Sequence, residues 1–256
     1  VDAAERDYRL REDSPARKLG IDSVDLREAG VYASPERRTW PRPEEPVQRE
    51  AADYTPSAET VRQPPLRTYE NYALDEPERL ANVGTTAGVS SVGVTEETAA
   101  SGTRSLKVVD GPGQKAGFMP YITYLMEAEQ GTWHGGFDLR WETGADFVYE
   151  WRDDPYNFLL GPRILVAPDG TLKANEQVLG KLPAGQWVRF DWDYTLGDHP
   201  AGKYDLTITV KGQAPQVFKD VACAPEFGYL SCAVIMANGD AAGTFYLDNV
   251  ELRGVR

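Results

Sequence analysis

The sequence predicts an all-β protein, with an antiparallel two-sheet β-sandwich over residues 67–254. Three observations predict it. Polar and apolar side chains alternate with a period of two in run after run. The clearest case sets Val188, Phe190, Trp192 and Tyr194 against Arg189, Asp191 and Asp193. That period gives a strand one dry face and one wet face. Turn signals separate the runs at short intervals, as at Pro168-Asp169-Gly170, where proline presets φ and glycine tolerates a positive value. No stretch carries a convincing helical periodicity.

In chain order, the first element is residues 1–34, where Tyr8 and Leu10 alternate with charged neighbours ahead of a Ser14-Pro15 turn. Asp7, Tyr8, Arg9, Leu10, Ser14, Pro15, Ala16 and Gly20 resemble the closing coil of secreted bacterial right-handed parallel β-helix proteins, which ends in D-[FY]-R-L-x-x-x-S-P-A-x-x-x-G. The resemblance implies a terminal strand and cap of a β-helix domain whose body is missing here. The plainer alternative is an ordinary strand and turn at a domain edge.

Residues 35–66 change in composition. Pro35, Pro41, Pro43, Pro46, Pro56, Pro64 and Pro65 are interleaved with Glu and Arg. Such a segment buries too little apolar surface to offset its ordering entropy, so an extended linker is expected, with Trp40, Tyr54 and Val61 as anchors.

From Arg67 onward the strands follow. Ser105–Val109 comes after Ser101-Gly102, and Gly136–Trp141 sets Phe137, Leu139 and Trp141 opposite Asp138 and Arg140. Phe147–Arg152 repeats the alternation, Arg163–Val166 leads into the Pro168-Asp169-Gly170 turn, and Tyr204, Leu206, Ile208 and Val210 alternate with Asp205, Thr207 and Thr209. TYENYALDE (Thr68–Glu76), SGTRSLKVVD (Ser101–Asp110) and FYLDNVEL (Phe245–Leu252) resemble motifs of concanavalin A-like and laminin-G-like jelly rolls and the related carbohydrate-binding modules. The resemblance covers most of 67–254 and implies a jelly-roll fold. It does not imply one activity, because that architecture hosts lectins, accessory modules, lyases and hydrolases. With the β-helix ending, it implies a secreted or periplasmic setting in an extracellular polysaccharide-acting protein.

Charge narrows the partners. A net charge of −13 argues against nucleic acid, which needs clustered Lys and Arg to displace counterions. No apolar run is long enough to cross a bilayer as a helix, so no membrane partner is expected. Cys223 and Cys232 are read as a local disulfide, with two small buried thiols on or near neighbouring strands as the alternative. Neither Walker A nor GxGxxG order appears, and His134 and His199 have no nucleophile pattern beside them; His134 reads as a surface-loop histidine.

Three constellations could carry chemistry. Glu70 and Asp248 lie where related modules hold a structural calcium, an ion that takes oxygen ligands; the alternative is that Asp248 and Asn249 bridge strands by hydrogen bonding. If Phe147, Tyr149 and Trp151 face the core, Glu150 and Arg152 share the opposite face and Arg163 can join them. With Tyr156 and Trp133 nearby, these residues would recognise a polysaccharide or oligosaccharide, guanidinium forking to hydroxyls or a uronate and rings stacking on the sugar. The alternative is a cross-strand Glu–Arg ladder with core aromatics. Finally, Asp153/Asp154, Asp191/Asp193 and Glu142/Asp146 are carboxylate pairs of the type a glycosidase needs, but solvated acidic faces explain them better, and no catalytic residue is assigned.

The expected function is a non-catalytic glycan-binding or structural module. The alternatives are a sandwich wall of a glycoside hydrolase or polysaccharide lyase site completed by a missing β-helix, and a scaffold that docks on its own solenoid or another subunit.

Overall fold

The alternating runs become strands because each buries its apolar row against the other layer. The structure, a computed structural model, describes residues 67–255 apart from Asn157 and Asp240. The expected β-helix cap (1–34) and linker (35–66) therefore lie outside the described residues. In order, the strands are β1 (Asn82–Gly84), β2 (Ser91–Thr95), β3 (Ser105–Asp110), β4 (Tyr121–Ala128), β5 (Gly131–Trp141), β6 (Phe147–Arg152) and β7 (Leu160–Val166). There follow β8 (Thr171–Ala174), β9 (Gln177–Lys181), β10 (Trp187–Leu196), β11 (Lys203–Val210), β12 (Gln216–Ala222), β13 (Leu230–Met236) and β14 (Gly243–Gly254). No helix among the described residues is long and apolar enough to cross a membrane.

Two antiparallel sheets of seven strands face each other. Their orders are β1-β4-β13-β6-β7-β8-β9 and β12-β11-β10-β5-β14-β3-β2. Sequence neighbours such as β6 and β7 pair as hairpins, while β13 returns from far along the chain to lie between β4 and β6. At its N-terminal edge the described chain is tied on by reciprocal hydrogen bonds between Arg67 and Val250.

The core is aromatic. Phe137 on β5 stacks on Phe190 of β10 at 5.0 Å and, across the layers, on Tyr149 of β6 at 4.9 Å. Trp192 packs edge-on against Tyr149 and at a tilt against Trp151, and all these rings are buried. Burial contributes about 1.5–3 kcal/mol for a large side chain of this kind, so this stack holds the layers in register.

Two expectations are corrected. The Gly135-Gly136 pair belongs to the middle of β5, so His134 is a strand residue rather than a loop residue. Gly135 is there for space, since a Cβ on it would lie 2.4 Å from the Trp192 ring and 2.7 Å from that of Trp151, whereas one on Gly136 would meet only the movable ends of Arg189 and Asp191. The disulfide is absent, and Cys223 and Cys232 are both free thiols. The segment between them crosses from β12 in one sheet to β13 in the other instead of folding back, which separates the two sulfurs.

Candidate functional site

The outer face of the first sheet is shaped by pairing register. Three rungs cross it. Tyr121, Met236, Val148 and Leu165 form one; Asn82, Thr123, Val234, Glu150 and Arg163 the next; Leu125, Cys232, Arg152 and Leu160 the third. These side chains alternate with core residues Ile122, Tyr124, Tyr149, Trp151, Ala233 and Ile235, so they point away from the sandwich interior. All of them except Leu165 line a groove of about 860 Å³. Its floor is apolar: Val148, Cys232, Val234 and Met236 are buried as a small cluster of their own.

One buried carboxylate organises the charges. Glu150, 3% exposed, accepts a hydrogen bond from Arg152 Nε at 2.6 Å and pairs with Arg152 Nη2 through the same oxygen. Its other oxygen lies 3.0 Å from Arg163 Nε, which makes no hydrogen bond there. The guanidinium of Arg152 also lies over the Phe158 ring, 3.9 Å from its centroid, a cation–π contact that uses its face. Arg163 is held from behind. Its backbone N–H donates to Asn175 Oδ1 at 3.2 Å, its carbonyl accepts from Asn175 N–H at 2.8 Å, and the Tyr204 hydroxyl reaches across from the second sheet to donate to Asn175 Oδ1 at 2.8 Å.

Aromatic side chains stand at the mouth. Tyr156 is 91% exposed, and Phe158 and Phe118 are also exposed; Phe118 packs against Tyr121, with ring centroids 5.9 Å apart. Tyr156 and Phe158 sit in the loop between β6 and β7. Asp154 shapes that loop by accepting from Tyr156 N–H at 2.7 Å, and Asp153 by accepting from Leu159 N–H at 2.6 Å. These two carboxylates are therefore loop anchors.

The structure thus brings together Glu150, Arg152, Arg163 and Tyr156, as expected on one face. Trp133 is a correction. It lies on β5 with its ring inside the sandwich and its indole N–H bonded to the Gln130 carbonyl at 3.2 Å, so it has no access to the groove. Sequence reasoning missed Phe158, Phe118, Tyr121 and the apolar floor. The floor had a signal in LSCAVIM of β13, an uninterrupted small and apolar run of the kind that is covered on both faces.

The other carboxylates lie elsewhere. On the outer face of the second sheet, His134 Nδ1 is 2.8 Å from Asp193 and its Nε2 is 3.5 Å from Asp191. Asp191 also accepts from Arg189 Nη2 at 2.7 Å, and Arg189 Nη2 donates at 2.7 Å to Glu251. The bond to Asp191, opposed by burial and reinforced by Asp193, raises the His134 pKa. Burial pushes Asp191 up, but His134 and Arg189 together pull it below its ordinary range. Glu142 is bound to Arg140 Nε at 2.7 Å.

Glu70 and Asp248 both hold the loop ahead of β3. Asp248 accepts from the N–H groups of Ala100 and Ser101 at 3.1 Å each and from Asn249 at 2.8 Å. Glu70 accepts from the N–H groups of Thr103 and Arg104 at 2.9 Å and from the Thr103 hydroxyl at 2.9 Å. Donor hydrogens aimed at these oxygens occupy the lone pairs a calcium ion would use, so the set does not fit a cation well. Among the described residues no cluster of three or more His, Cys, Asp or Glu is arranged to hold a metal.

No protein-family model matches the chain, and neither does any curated protein. Solved structures do resemble it. One is the cellulose induced protein Cip1, at 15% identity and a TM-score of 0.51, covering 74% of this chain and 97% of that one. An endo-β-1,4-glucuronan lyase from the fungus Trichoderma reesei is similar at 11% identity and a TM-score of 0.49, over 75% and 96%. The C-terminal family 22 carbohydrate binding module of Clostridium thermocellum Xyn10B is similar at 12% identity and a TM-score of 0.40, over 76% and 96%. The likeness to Cip1 bears on the fold: an all-β sandwich of two antiparallel sheets in the jelly-roll manner.

Proposed function

We propose that the sandwich is a non-catalytic glycan-binding module and that the groove on its first sheet is the binding site. The observation that carries this reading is the juxtaposition of the Glu150–Arg152–Arg163 array with the exposed rings of Tyr156, Phe158 and Phe118 on one grooved face. Polar forks and flat rings are what a sugar requires, hydroxyls taking the hydrogen bonds and the C–H face taking the ring. Exposed apolar side chains gathered around a groove also signal a binding surface better than isolated ones do.

The non-catalytic part rests on the lining. Its one carboxylate, Glu150, is shared between two guanidinium groups, an arrangement suited to holding position and poorly suited to delivering a proton. Glycoside hydrolysis needs a second carboxyl group opposite the first, and the lining provides none. The setting expected from the sequence, a secreted polysaccharide-acting protein, belongs to the same proposal.

A second reading is a polysaccharide lyase wall. Tyr121 and Tyr156 place phenol groups in the lining that carries Arg163, a pairing able to abstract a proton next to a neutralised carboxylate. A glycan array probed with the whole chain tests the first reading, with binding expected and silence across neutral and acidic polysaccharides overturning it. Incubation of bound polymers, followed by ultraviolet detection of unsaturated sugar ends, tests the second; their appearance would replace the binding module with an enzyme.

A further inference from the structure

Resting on the glycan-binding reading, we infer that the groove selects uronate-bearing polysaccharides and that Arg163 is the residue that takes the sugar carboxylate. The first ground is charge. The ionised side chains of the groove lining are Glu150, Arg152 and Arg163, while Asp153 and Asp154 stand in the loop at its mouth, so on a chain of net charge −13 the positive charge here is confined to the guanidinium pair. Guanidinium groups held at this spot complement an anion, and they give a neutral chain no particular advantage.

The second ground is that the two arginines are not equivalent. Arg152 is consumed internally: Nε and Nη2 meet Glu150 and its face lies on Phe158. Arg163 faces Glu150 with Nε at 3.0 Å without a hydrogen bond, and the hydrogen bonds found among the described residues include none from its Nη groups. Its side chain is 22% exposed, in the groove wall. Two parallel N–H donors in a plane match the two oxygens of a carboxylate, and a guanidinium presents them without rotation.

The third ground is the surroundings. Val234 lies on the same rung as Glu150 and Arg163, and Val148 is next along β6, so the fork stands beside apolar floor. Water is less able to compete there than on an open surface, and an unpaired donor costs more, so both effects favour a charged partner over a hydroxyl. The Asn175 and Tyr204 bonds to β7 fix the Arg163 backbone in advance, which reduces the ordering cost on binding.

The test uses the whole 256-residue chain. Binding is measured by isothermal titration or affinity electrophoresis to polygalacturonate and glucuronan, to the same polymers after carboxyl reduction, and to dextran sulfate. The polyuronates are expected to bind about tenfold or more tightly than their reduced forms. Arg163→Gln is expected to bring that ratio near one, and Arg163→Lys, which keeps the charge without the fork, to leave it intermediate. Equal binding of charged and reduced polymers, or binding to none of them, overturns the uronate assignment and leaves the glycan reading to the array, where silence throughout removes that as well. Retention of the preference by Arg163→Gln overturns the role of Arg163. Dextran sulfate binding as tightly as polyuronate would mean a general polyanion surface and also overturns the inference. Melting curves accompany each variant; should Arg163→Gln not fold, the wild-type ratio and Arg163→Lys decide.

Discussion

Replacing Glu150 by glutamine removes the charge that holds the groove together while keeping its shape. In the native chain this carboxylate is 3% exposed and faces side chains that are 16% and 22% exposed, so the array is shielded but not dry. A unit pair at about 4 Å is worth roughly 4 kcal/mol at an effective dielectric constant near 20, and the cost of desolvating Glu150 offsets much of that. Charged hydrogen bonds contribute about 1.5–3 kcal/mol each, and glutamine retains one acceptor oxygen. Its amide, however, turns N–H groups toward one of the arginines. A net loss of about 2–3 kcal/mol follows, or roughly 4–12 °C in melting midpoint for a domain of this size. Urea denaturation with an unchanged slope measures it. A cycle with Arg163→Gln isolates the pair and is expected to return a coupling of about 1 kcal/mol or more. A loss below about 0.5 kcal/mol would refute the reasoning, since such values belong to exposed ion pairs.

Further outcomes follow from the same physical arguments. Gly135→Ala puts a methyl group 2.4 Å from the Trp192 ring, and a destabilisation of about 2–3 kcal/mol is expected in denaturant titrations; a neutral result would mean that the two indole rings can move apart. His134 has a raised folded pKa, so its contribution is full below the unfolded value and is lost as pH rises through the folded one. The groups facing it are Asp191 and Asp193 on β10 and Glu251 on β14, opposed by Arg253 on β14. The stability gap between wild type and His134→Gln should therefore narrow from mildly acidic to alkaline pH, and a gap that widens would reverse the assignment. Chelator is expected to leave the melting midpoint unchanged because N–H groups already face the Glu70 and Asp248 oxygens. A fall restored by added calcium would give these carboxylates a cation.

Local pattern carried the architecture, because a period of two makes burial a property of each strand taken alone. Trp192 and Leu206 are buried as their alternation requires, and Glu150, Arg152 and Arg163 share a face because β6 and β7 are hairpin neighbours. Trp133 was misplaced for a related reason. The alternation starts the strand at Gly136 and leaves Trp133, His134 and Gly135 outside it, while the purpose of Gly135, room for the Trp192 ring, depends on β10, remote in sequence. Phe158 escaped notice because its loop is irregular and is shaped by the side chains of Asp153 and Asp154 rather than by periodicity. The groove floor joins β4, β13 and β6, and no short window of sequence contains that pairing.

The two outer faces, set side by side, argue for where function lies. On the second sheet Asp138, Arg189, Asp191, His134 and Glu251 point outward and join in a polar network that solubility and strand pairing explain without a ligand, beside the outward but buried Trp187 and Tyr246. The first sheet carries more apolar side chains on its outer face, gathered in one groove. Val148, Val234 and Met236 point outward yet are buried, and Phe118, Leu125, Tyr156 and Phe158 are exposed around them. Covering a sheet face with apolar side chains brings an association risk and adds little to a core already closed on the other side. A buried carboxylate between two arginines is likewise a poor source of stability compared with apolar packing. Both departures from what folding favours occur on the same few strands and line the same groove. Departures of this kind concentrate where a surface is shaped for a partner, which favours the groove over the polar hollow lined by His134, Asp191 and Asp193 as the first place to test for a ligand.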